Sequence, residues 1–207
     1  PGVLIPRPDT ETLVEAVLKS SFADRPRILD LCTGSGAVAV SLAHFLPQAL
    51  VCAVDCSALC VETAQKNALA NGVGSRVHCL QRDILSAGFC LPLSVFSVPA
   101  ENGDFESGDL FLADILTANP PYIRSADMET LMKDVKDFEP HLALDGGKDG
   151  LLFYRRIAEL APSLLVSGGL LALEVGHDQA DAVSEILNRS GHFASIRFCR
   201  DLAGIRR

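Results

Sequence analysis

The sequence predicts an α/β fold in which a mostly parallel β-sheet is covered by helices on both faces. Two observations carry this prediction. Short apolar runs of strand length alternate with amphipathic stretches of helix length along most of the chain, which is the order that builds a parallel sheet. In addition, a glycine-rich turn joins the first predicted strand to the helix after it, as is typical where a parallel sheet binds a ligand.

The predicted elements follow one another along the chain. A helix over residues 9–22, with Thr12 and Glu15 at capping-box spacing, precedes the first strand, Arg27–Cys32, and the glycine turn then leads into the helix Ala37–Leu46. The further predicted strands are Leu50–Val54, Val77–Leu80, Leu110–Thr117, Leu170–Val175 and Phe193–Cys199. The further predicted helices are Gly150–Leu165 and Asp178–Asn188. Between the third and fourth strands, residues 86–108 are expected to form an inserted surface loop.

Composition narrows the class of protein. The chain has 207 residues and is 48% hydrophobic, which suits a single domain over residues 1–207. Residues 1–22 are expected to form a linker and the first helix. No run approaches the roughly 20 apolar residues of a membrane span. Seven cysteines without a Cys-x-x-Cys pair indicate a reducing cytoplasm, and we interpret Cys52, Cys56 and Cys60 as packing residues rather than metal ligands. The net charge of −8 disfavours a nucleic-acid partner, and a monomer is expected.

The turn after the first strand indicates a nucleoside-containing cofactor. Glycines at 34 and 36 let a ligand approach the backbone closely, and Asp55, at the end of the second strand, is placed to accept both hydroxyls of a ribose. The same turn satisfies a dinucleotide pattern, so NAD and S-adenosylmethionine both fit it. Asp30 and Asp83 favour S-adenosylmethionine, because its amino-acid end and its adenine need separate polar partners.

A second motif, Asn119-Pro-Pro-Tyr122, follows the fourth predicted strand and indicates the chemistry. The Asn119 side-chain oxygen and the Pro120 carbonyl can each accept one N–H of a substrate NH2 group, Pro121 stiffens the turn, and Tyr122 can stack on a planar face. A nitrogen in a planar conjugated group is a poor nucleophile. The motif therefore predicts methyl transfer to a side-chain amide or to an exocyclic base amine.

Six segments in this order resemble the HemK/PrmC family: Ile5–Glu11, Asp30–Gly36, Asn119–Ile123, Phe138–Pro140, Leu144–Gly150 and Glu174–Gly176. The resemblance implies a class I S-adenosylmethionine-dependent methyltransferase (Rossmann-like) fold. It also implies the reaction, transfer of a methyl group to the side-chain amide nitrogen (N5) of the glutamine in the Gly-Gly-Gln motif of class I peptide-chain release factors. The release factor would then be the protein partner.

The resemblance also assigns the site residues. The substrate amide would lie at Asn119, Pro120, Pro121 and Tyr122, and Asn119 would also lie beside the cofactor. The methionine part of S-adenosylmethionine would lie against Cys32, Thr33, Gly34, Ser35 and Gly36. Its ribose would bind Asp55, and its adenine would lie near Asp83 and Ile84. Cys32 stands where many relatives have glycine. The family's final antiparallel strand and its small helical domain before the Pro-Arg-Pro segment are expected to be absent from this chain.

Three alternatives stay open at this point. A nucleic-acid amino-methyltransferase acting on adenine N6 or guanine N2 uses the same tetrapeptide on an exposed base, although the acidic charge disfavours it. The related ribosomal-protein glutamine methyltransferases typically differ in the residues after the Pro-Arg pair of the opening segment. A scaffold that binds the cofactor without catalysis is disfavoured by the intact Asn-Pro-Pro-Tyr motif.

Overall fold

The computed structural model describes residues 2–92, 95–96, 112–201 and 203–206, without the side chain of Asp137. Within them five parallel strands form one sheet in the order β3-β2-β1-β4-β5. The strands are β1 (Arg27–Leu31), β2 (Leu50–Asp55), β3 (Val77–Gln81), β4 (Ala113–Ala118) and β5 (Leu165–Leu173). The helices are α1 (Thr10–Leu18), α2 (Ala37–Phe45), α3 (Ala58–Ala70), α4 (Lys133–Phe138), α5 (Leu152–Leu164) and α6 (Ala180–Ser190), with short 3-10 helices at Ser125–Thr130 and His141–Ala143.

The two faces of the sheet carry separate apolar layers. Alternate residues of β1 point to opposite sides: Ile28 packs in the layer formed with α1, α2 and α3, whereas Leu29 and Leu31 pack in the layer that contains α5. All three side chains are almost completely buried. Helices therefore cover both faces of a parallel sheet, as the alternation of apolar runs predicts.

The strand register brings the functional loops to one edge of the sheet. Leu31 at the end of β1 is aligned both with Val54 of β2 and with Ala118 of β4. Strand order reverses at β1, because β2 and β3 continue to one side and β4 and β5 to the other. Such a switch point opens a crevice beyond the carboxyl ends of the strands, where ligands bind in open α/β sheets.

The first helix is shorter than predicted. It ends at Leu18, and it begins at Thr10 rather than at a capping box formed by Thr12. The Thr10 N–H already donates to the Arg7 carbonyl (3.1 Å), so the first turn is closed before Thr12 is reached. The capping-box prediction is wrong for this reason.

The last strand begins earlier than predicted. Ala113 of β4 pairs with Leu165, whereas Ile115 pairs with Leu170, so β5 bulges between these two pairs. Gly168 lies inside the bulge with a φ of 79°. Its conformational freedom permits the irregularity, and the prediction that the strand begins only at Leu170 missed the bulged half.

The predicted strand Phe193–Cys199 is wrong. None of the described residues after Ser190 lies in a strand, and only an isolated antiparallel bridge joins Arg200 to Arg206. Phe193 and Ile196 instead pack against the apolar cluster of α5 and α6, which buries part of each side chain without ladder pairing.

Most of the expected inserted loop at 86–108, together with the first two residues of the predicted strand Leu110–Thr117, lies outside the described residues. In the described part of the loop, Val95 and Phe96 are buried in the α5 layer.

Neither a membrane-spanning helix nor a metal-binding group is found in the described part of the chain. No helix there combines the length and hydropathy needed to cross a bilayer. No group of three or more His, Cys, Asp or Glu side chains there is arranged to hold a metal ion. All seven cysteines are free thiols.

Candidate active site

The glycine loop, residues 32–36, is held in place by backbone and side-chain hydrogen bonds. The Thr33 N–H donates to the Val54 carbonyl (3.0 Å), and the Gly36 N–H donates to the Thr33 carbonyl (2.9 Å). From α3, the Asn67 amide donates to the Ser35 carbonyl (2.8 Å). The five residues predicted to contact the methionine part of the cofactor therefore form one ordered turn at the end of β1.

Cys32 has an unusual backbone conformation. With a φ of 56°, it is the one described non-glycine residue in the left-handed region, which favours glycine. This agrees with the family resemblance, which implies glycine at this position. Burial raises the pKa of the Cys32 thiol, so the group stays protonated at neutral pH. Cys32 therefore contributes its backbone conformation and its packing to the site, and not a reactive thiolate.

Gly34 and Gly36 make a matched pair for a test of the loop. A methyl group on Gly36 (φ 80°) would lie 2.8 Å from the Ala64 Cβ, whereas one on Gly34 (φ 57°) would meet no atom within 4 Å. We expect Gly36→Ala to lower the free energy of unfolding by about 2–4 kcal/mol, from backbone strain and overpacking. Gly34→Ala should cost only about 1–2 kcal/mol of backbone strain.

The open side of Gly34 is where the predicted cofactor would approach. Gly34→Ala should therefore weaken S-adenosylmethionine binding while the fold is kept. Urea denaturation and calorimetric titration of both variants measure the two effects separately. Tight cofactor binding by Gly34→Ala would show that the ligand does not contact this turn.

Asp30 is a buried carboxyl group that joins the glycine loop to β4. Thr33 Oγ1 donates to one carboxyl oxygen (2.5 Å) and Thr117 Oγ1 to the other (2.7 Å). Burial raises the pKa of Asp30 to about 6, although the two hydroxyl hydrogen bonds act in the opposite direction. Thr117 lies two residues before Asn119, so this carboxyl group ties together the two loops that carry the predicted chemistry.

The raised pKa of Asp30 predicts a pH-dependent stability. Because the native state holds this proton more tightly than the unfolded chain does, the group stabilises the fold most below about pH 4, and that contribution is lost as the pH rises through about 6. The loss is on the order of 3 kcal/mol. Asn resembles the protonated carboxyl group, so Asp30→Asn should remove this dependence.

Urea denaturation of both proteins at pH 4 and pH 8 measures the effect. We expect the difference in unfolding free energy to move in favour of Asp30→Asn by about 2–3 kcal/mol between the two pH values. A difference that stays constant with pH would show that folding does not raise the pKa of Asp30.

Asp55 ends β2 and lies beside the glycine loop. One carboxylate oxygen accepts the Gly34 N–H (2.9 Å) and the other accepts the Ser57 N–H (2.9 Å). The carboxylate also accepts weak hydrogen bonds from the thiols of Cys56 and Cys60. A thiol is a weak donor, so a ribose hydroxyl can take its place. The Asp55 carbonyl accepts the Arg82 N–H (2.9 Å), which connects this residue to the end of β3.

Asp83 and Ile84 follow β3 and differ in exposure. Asp83 is exposed, and its carboxylate accepts the Leu85 N–H (2.8 Å) in a turn. The Ile84 side chain is buried, and its carbonyl accepts a hydrogen bond from the Arg156 guanidinium (2.7 Å). Of the two residues predicted to lie near adenine, only Asp83 presents its side chain to solvent.

The Asn119-Pro-Pro-Tyr122 motif leaves β4 at the switch point. The Asn119 amide nitrogen donates to the hydroxyl of Thr10 (3.2 Å), at the start of α1, and the amide oxygen is the acceptor left to the site. Both prolines are buried, whereas Asn119 and Tyr122 are partly exposed. The two prolines thus form a rigid base that presents two functional side chains.

Gln179, which the sequence reasoning missed, supports this motif from behind. Its buried amide nitrogen donates to the carbonyls of Tyr122 (2.9 Å) and Gly150 (3.2 Å), and its oxygen accepts the Gly176 N–H (3.1 Å). A Cβ on Gly150 would lie 2.4 Å from the Tyr122 carbonyl oxygen, and one on Gly146 would lie 2.7 Å from the Tyr122 Cα. These glycines therefore allow the loop at 144–151 to pack directly on the Tyr122 backbone.

The opening segment reaches the same site. Arg7 forms an ion pair with Glu139, which follows α4. The Arg7 side chain is half exposed and that of Glu139 is mostly buried. This ion pair joins two family-like segments, one at the start and one in the middle of the chain, and Thr10 of the first segment is hydrogen-bonded to Asn119.

A groove borders one side of the glycine loop. It has a volume of about 500 Å³ and lies between residues 3–6 and the outer sides of α2 and α3. Ser35 and Gly36 line it, but Asp55 and Asn119 do not. The strand ends, rather than this groove, bring the predicted cofactor and substrate residues together.

Comparison with known proteins agrees with this fold. A family model described as a methyltransferase domain matches residues 28–98, the part that contains the glycine loop and Asp55. The crystal structure of a methyltransferase from Pyrococcus furiosus has a TM-score of 0.62 at 19% identity, over 100% of this chain and 82% of that one. These matches confirm the class I S-adenosylmethionine-dependent methyltransferase fold.

Two curated relatives are much more similar in sequence. The release factor glutamine methyltransferase of Clostridium acetobutylicum is 41% identical over 203 residues, covering 98% of this chain; the chain spans 65% of that relative's length. The protein of the same name from Bordetella pertussis is 42% identical over 208 residues, covering 100% of this chain and 68% of the relative. At this similarity, over the whole of its length, the chain belongs to the release factor glutamine methyltransferase family.

Proposed function

We propose that this protein transfers a methyl group from S-adenosylmethionine to the side-chain amide nitrogen of the glutamine in the Gly-Gly-Gln motif of class I peptide-chain release factors. Its relatives carry the name release factor glutamine methyltransferase. The acidic net charge suits a protein substrate better than a nucleic acid. We further propose that it acts as a monomer in the cytoplasm, where its free thiols stay reduced.

One observation carries the proposal most strongly. Asn119, the glycine loop and Asp55 follow strand residues that are aligned in the sheet, namely Ala118, Leu31 and Val54. Asn119, which can accept a hydrogen bond from a substrate amide, therefore lies beside the glycine loop and Asp55, which suit a nucleoside ligand. Methyl transfer between a bound cofactor and an amide requires this proximity.

The residues present fit S-adenosylmethionine. No atom lies within 4 Å of the position that a Cβ on Gly34 would occupy. The Asp55 carboxylate can accept ribose hydroxyls in place of the weakly bound thiols of Cys56 and Cys60. Asp83 is exposed at the end of β3, within reach of a base. When bound, S-adenosylmethionine supplies a methyl group already activated on a sulfonium.

The role of the protein is then to prepare the nitrogen. An amide nitrogen is weakly nucleophilic because its lone pair is delocalised into the carbonyl group. The Asn119 oxygen and the Pro120 carbonyl each accept a hydrogen bond from one of its two N–H groups. These hydrogen bonds orient the nitrogen and raise its electron density. Tyr122 lies against the plane of the substrate amide. No strong base is needed, because the proton becomes acidic once the nitrogen has acquired the methyl group.

The test supplies the protein with labelled methyl donor and four separate acceptors. These are a class I release factor, the same factor with its Gly-Gly-Gln glutamine changed to alanine, a ribosomal protein, and DNA. Of these four, we expect label on the unmodified release factor only. A fifth acceptor, a release factor with a flanking Gly→Val change, should be labelled slowly, because the bulky side chain hinders entry of the loop into the cleft.

Label on DNA with an untouched release factor would overturn the proposal and favour the nucleic-acid alternative. Label on the ribosomal protein alone would favour the related protein glutamine methyltransferases. Binding of S-adenosylmethionine without transfer to any acceptor would favour the scaffold.

A further inference from the structure

We propose that Thr10 is a positioning residue that orients the Asn119 amide for methyl transfer; this inference rests on the proposed function of that amide. Thr10 is the first residue of α1, and its side chain is only 6% exposed. Its hydroxyl accepts a hydrogen bond from the Asn119 amide nitrogen at 3.2 Å, across 109 residues of sequence.

The orientation of this amide matters because its two ends have opposite hydrogen-bonding roles. The oxygen accepts hydrogen bonds and the nitrogen donates them, and a rotation of 180° exchanges the two with little change in shape. A substrate NH2 group needs an acceptor. If the Asn119 nitrogen faced the substrate, two NH2 groups would face each other. Neither can accept a hydrogen bond from the other, so Asn119 could not align the reacting nitrogen. In the structure the Thr10 hydroxyl accepts a hydrogen bond from the nitrogen end. Because a hydroxyl can act as an acceptor, it supports the orientation in which the nitrogen faces Thr10 and the oxygen faces the substrate NH2 group.

Thr10 is itself held firmly. Leu13, Val14 and Val17 of the same helix are buried against α2. The Thr10 N–H donates to the Arg7 carbonyl (3.1 Å), and the Arg7 side chain is paired with Glu139. The hydroxyl therefore belongs to an anchored turn and keeps its place beside Asn119. This gives the opening Pro-Arg-Pro-Asp-Thr-Glu segment a role in the reaction.

The test compares Thr10→Val, which keeps the shape but removes the hydroxyl, with Thr10→Ser, which keeps the hydroxyl. Thr10→Val should lower kcat by about 3- to 10-fold, the change expected when one net hydrogen bond is lost. KM and S-adenosylmethionine affinity should change less than about twofold, since the hydroxyl acts on the amide rather than on ligand binding. Thr10→Ser should recover most of the lost rate. Thr63→Val, which removes an exposed hydroxyl that donates to the Leu59 carbonyl, is the matched control and should leave kcat unchanged.

A double-mutant cycle separates positioning from a general structural effect. If Thr10 acts only through Asn119, then adding Thr10→Val to Asn119→Ala should cause no further loss in single-turnover rate. Full additivity of the two changes would overturn the proposal, and so would a Thr10→Ser variant as slow as Thr10→Val. Urea denaturation of each variant shows whether a lost rate reflects lost folding.

The cycle is measured on whichever acceptor the protein methylates. Failure of the proposed function would therefore appear as a different labelled acceptor, whereas failure of the Thr10 proposal would appear as additivity on that acceptor.

Discussion

Replacing Asn119 with alanine is expected to lower the rate of methyl transfer roughly 10²-fold or more, the scale of losing one positioned polar group in an active site. The truncation removes the oxygen that would accept a substrate N–H, and it leaves the Thr10 hydroxyl without its donor. Single-turnover transfer of labelled methyl groups to a release factor measures the effect. Affinity for S-adenosylmethionine should change much less than the rate, because the lost group acts mainly on the acceptor.

The chain offers a closely matched control for this change. Asn188 lies on α6 and is exposed, and its amide nitrogen also donates to a hydroxyl, that of Ser184 (3.4 Å). Asn188→Ala therefore removes a comparable amide bond on another element and should leave the transfer rate unchanged. An Asn119→Ala variant with nearly full activity would remove Asn119 from the catalytic site.

The parts of the site that lie on one short stretch of chain could be predicted from the sequence. The apolar run ending at Leu31, the two glycines that follow and the helix from Ala37 are local patterns, and each determines its own structure. Asp55 and Asn119 were also placed correctly at strand ends. Parallel strands end at one edge of a sheet, so two correct strand ends suffice to bring such residues together.

The side-chain bonds that join distant elements could not be predicted in this way. The pairs Thr10 with Asn119 and Arg7 with Glu139 span more than a hundred residues and depend on how α1 packs against the sheet. Gln179 gave only a faint signal, a polar residue close to a glycine at a strand end. Its bond with Gly176 is local, but the two that support the motif go to Tyr122 and Gly150, which are far away in sequence.

The two errors in strand assignment have a common physical origin. Apolar composition indicates that a segment is buried, whereas strand pairing also depends on the neighbouring strand. Leu165 pairs with β4 despite the glycines that follow it, because a bulge absorbs them. Phe193 and Ile196 bury part of their surface against α5 and α6 without entering the sheet.

Replacing Asp55 with alanine is expected to weaken S-adenosylmethionine binding by about 1.5–3 kcal/mol, the range for hydrogen bonds to a charged partner. Calorimetry measures the change. Asp181→Ala is the control, because Asp181 is an exposed carboxylate on α6 that pairs with Arg206, away from the strand ends. Unchanged affinity in Asp55→Ala would mean that the ribose lies elsewhere.

A second ligand distinguishes two origins of this loss. Asp55 accepts the Gly34 N–H as well as offering lone pairs to a ribose, so its removal can act directly or by loosening the glycine loop. Adenosine contains the ribose but no methionine part, and competition experiments report its affinity. If Asp55 binds the ribose, adenosine and S-adenosylmethionine should lose similar free energy in Asp55→Ala. A loss confined to S-adenosylmethionine would instead show that Asp55 acts through the loop that holds the amino-acid end, and the ribose assignment would then be wrong.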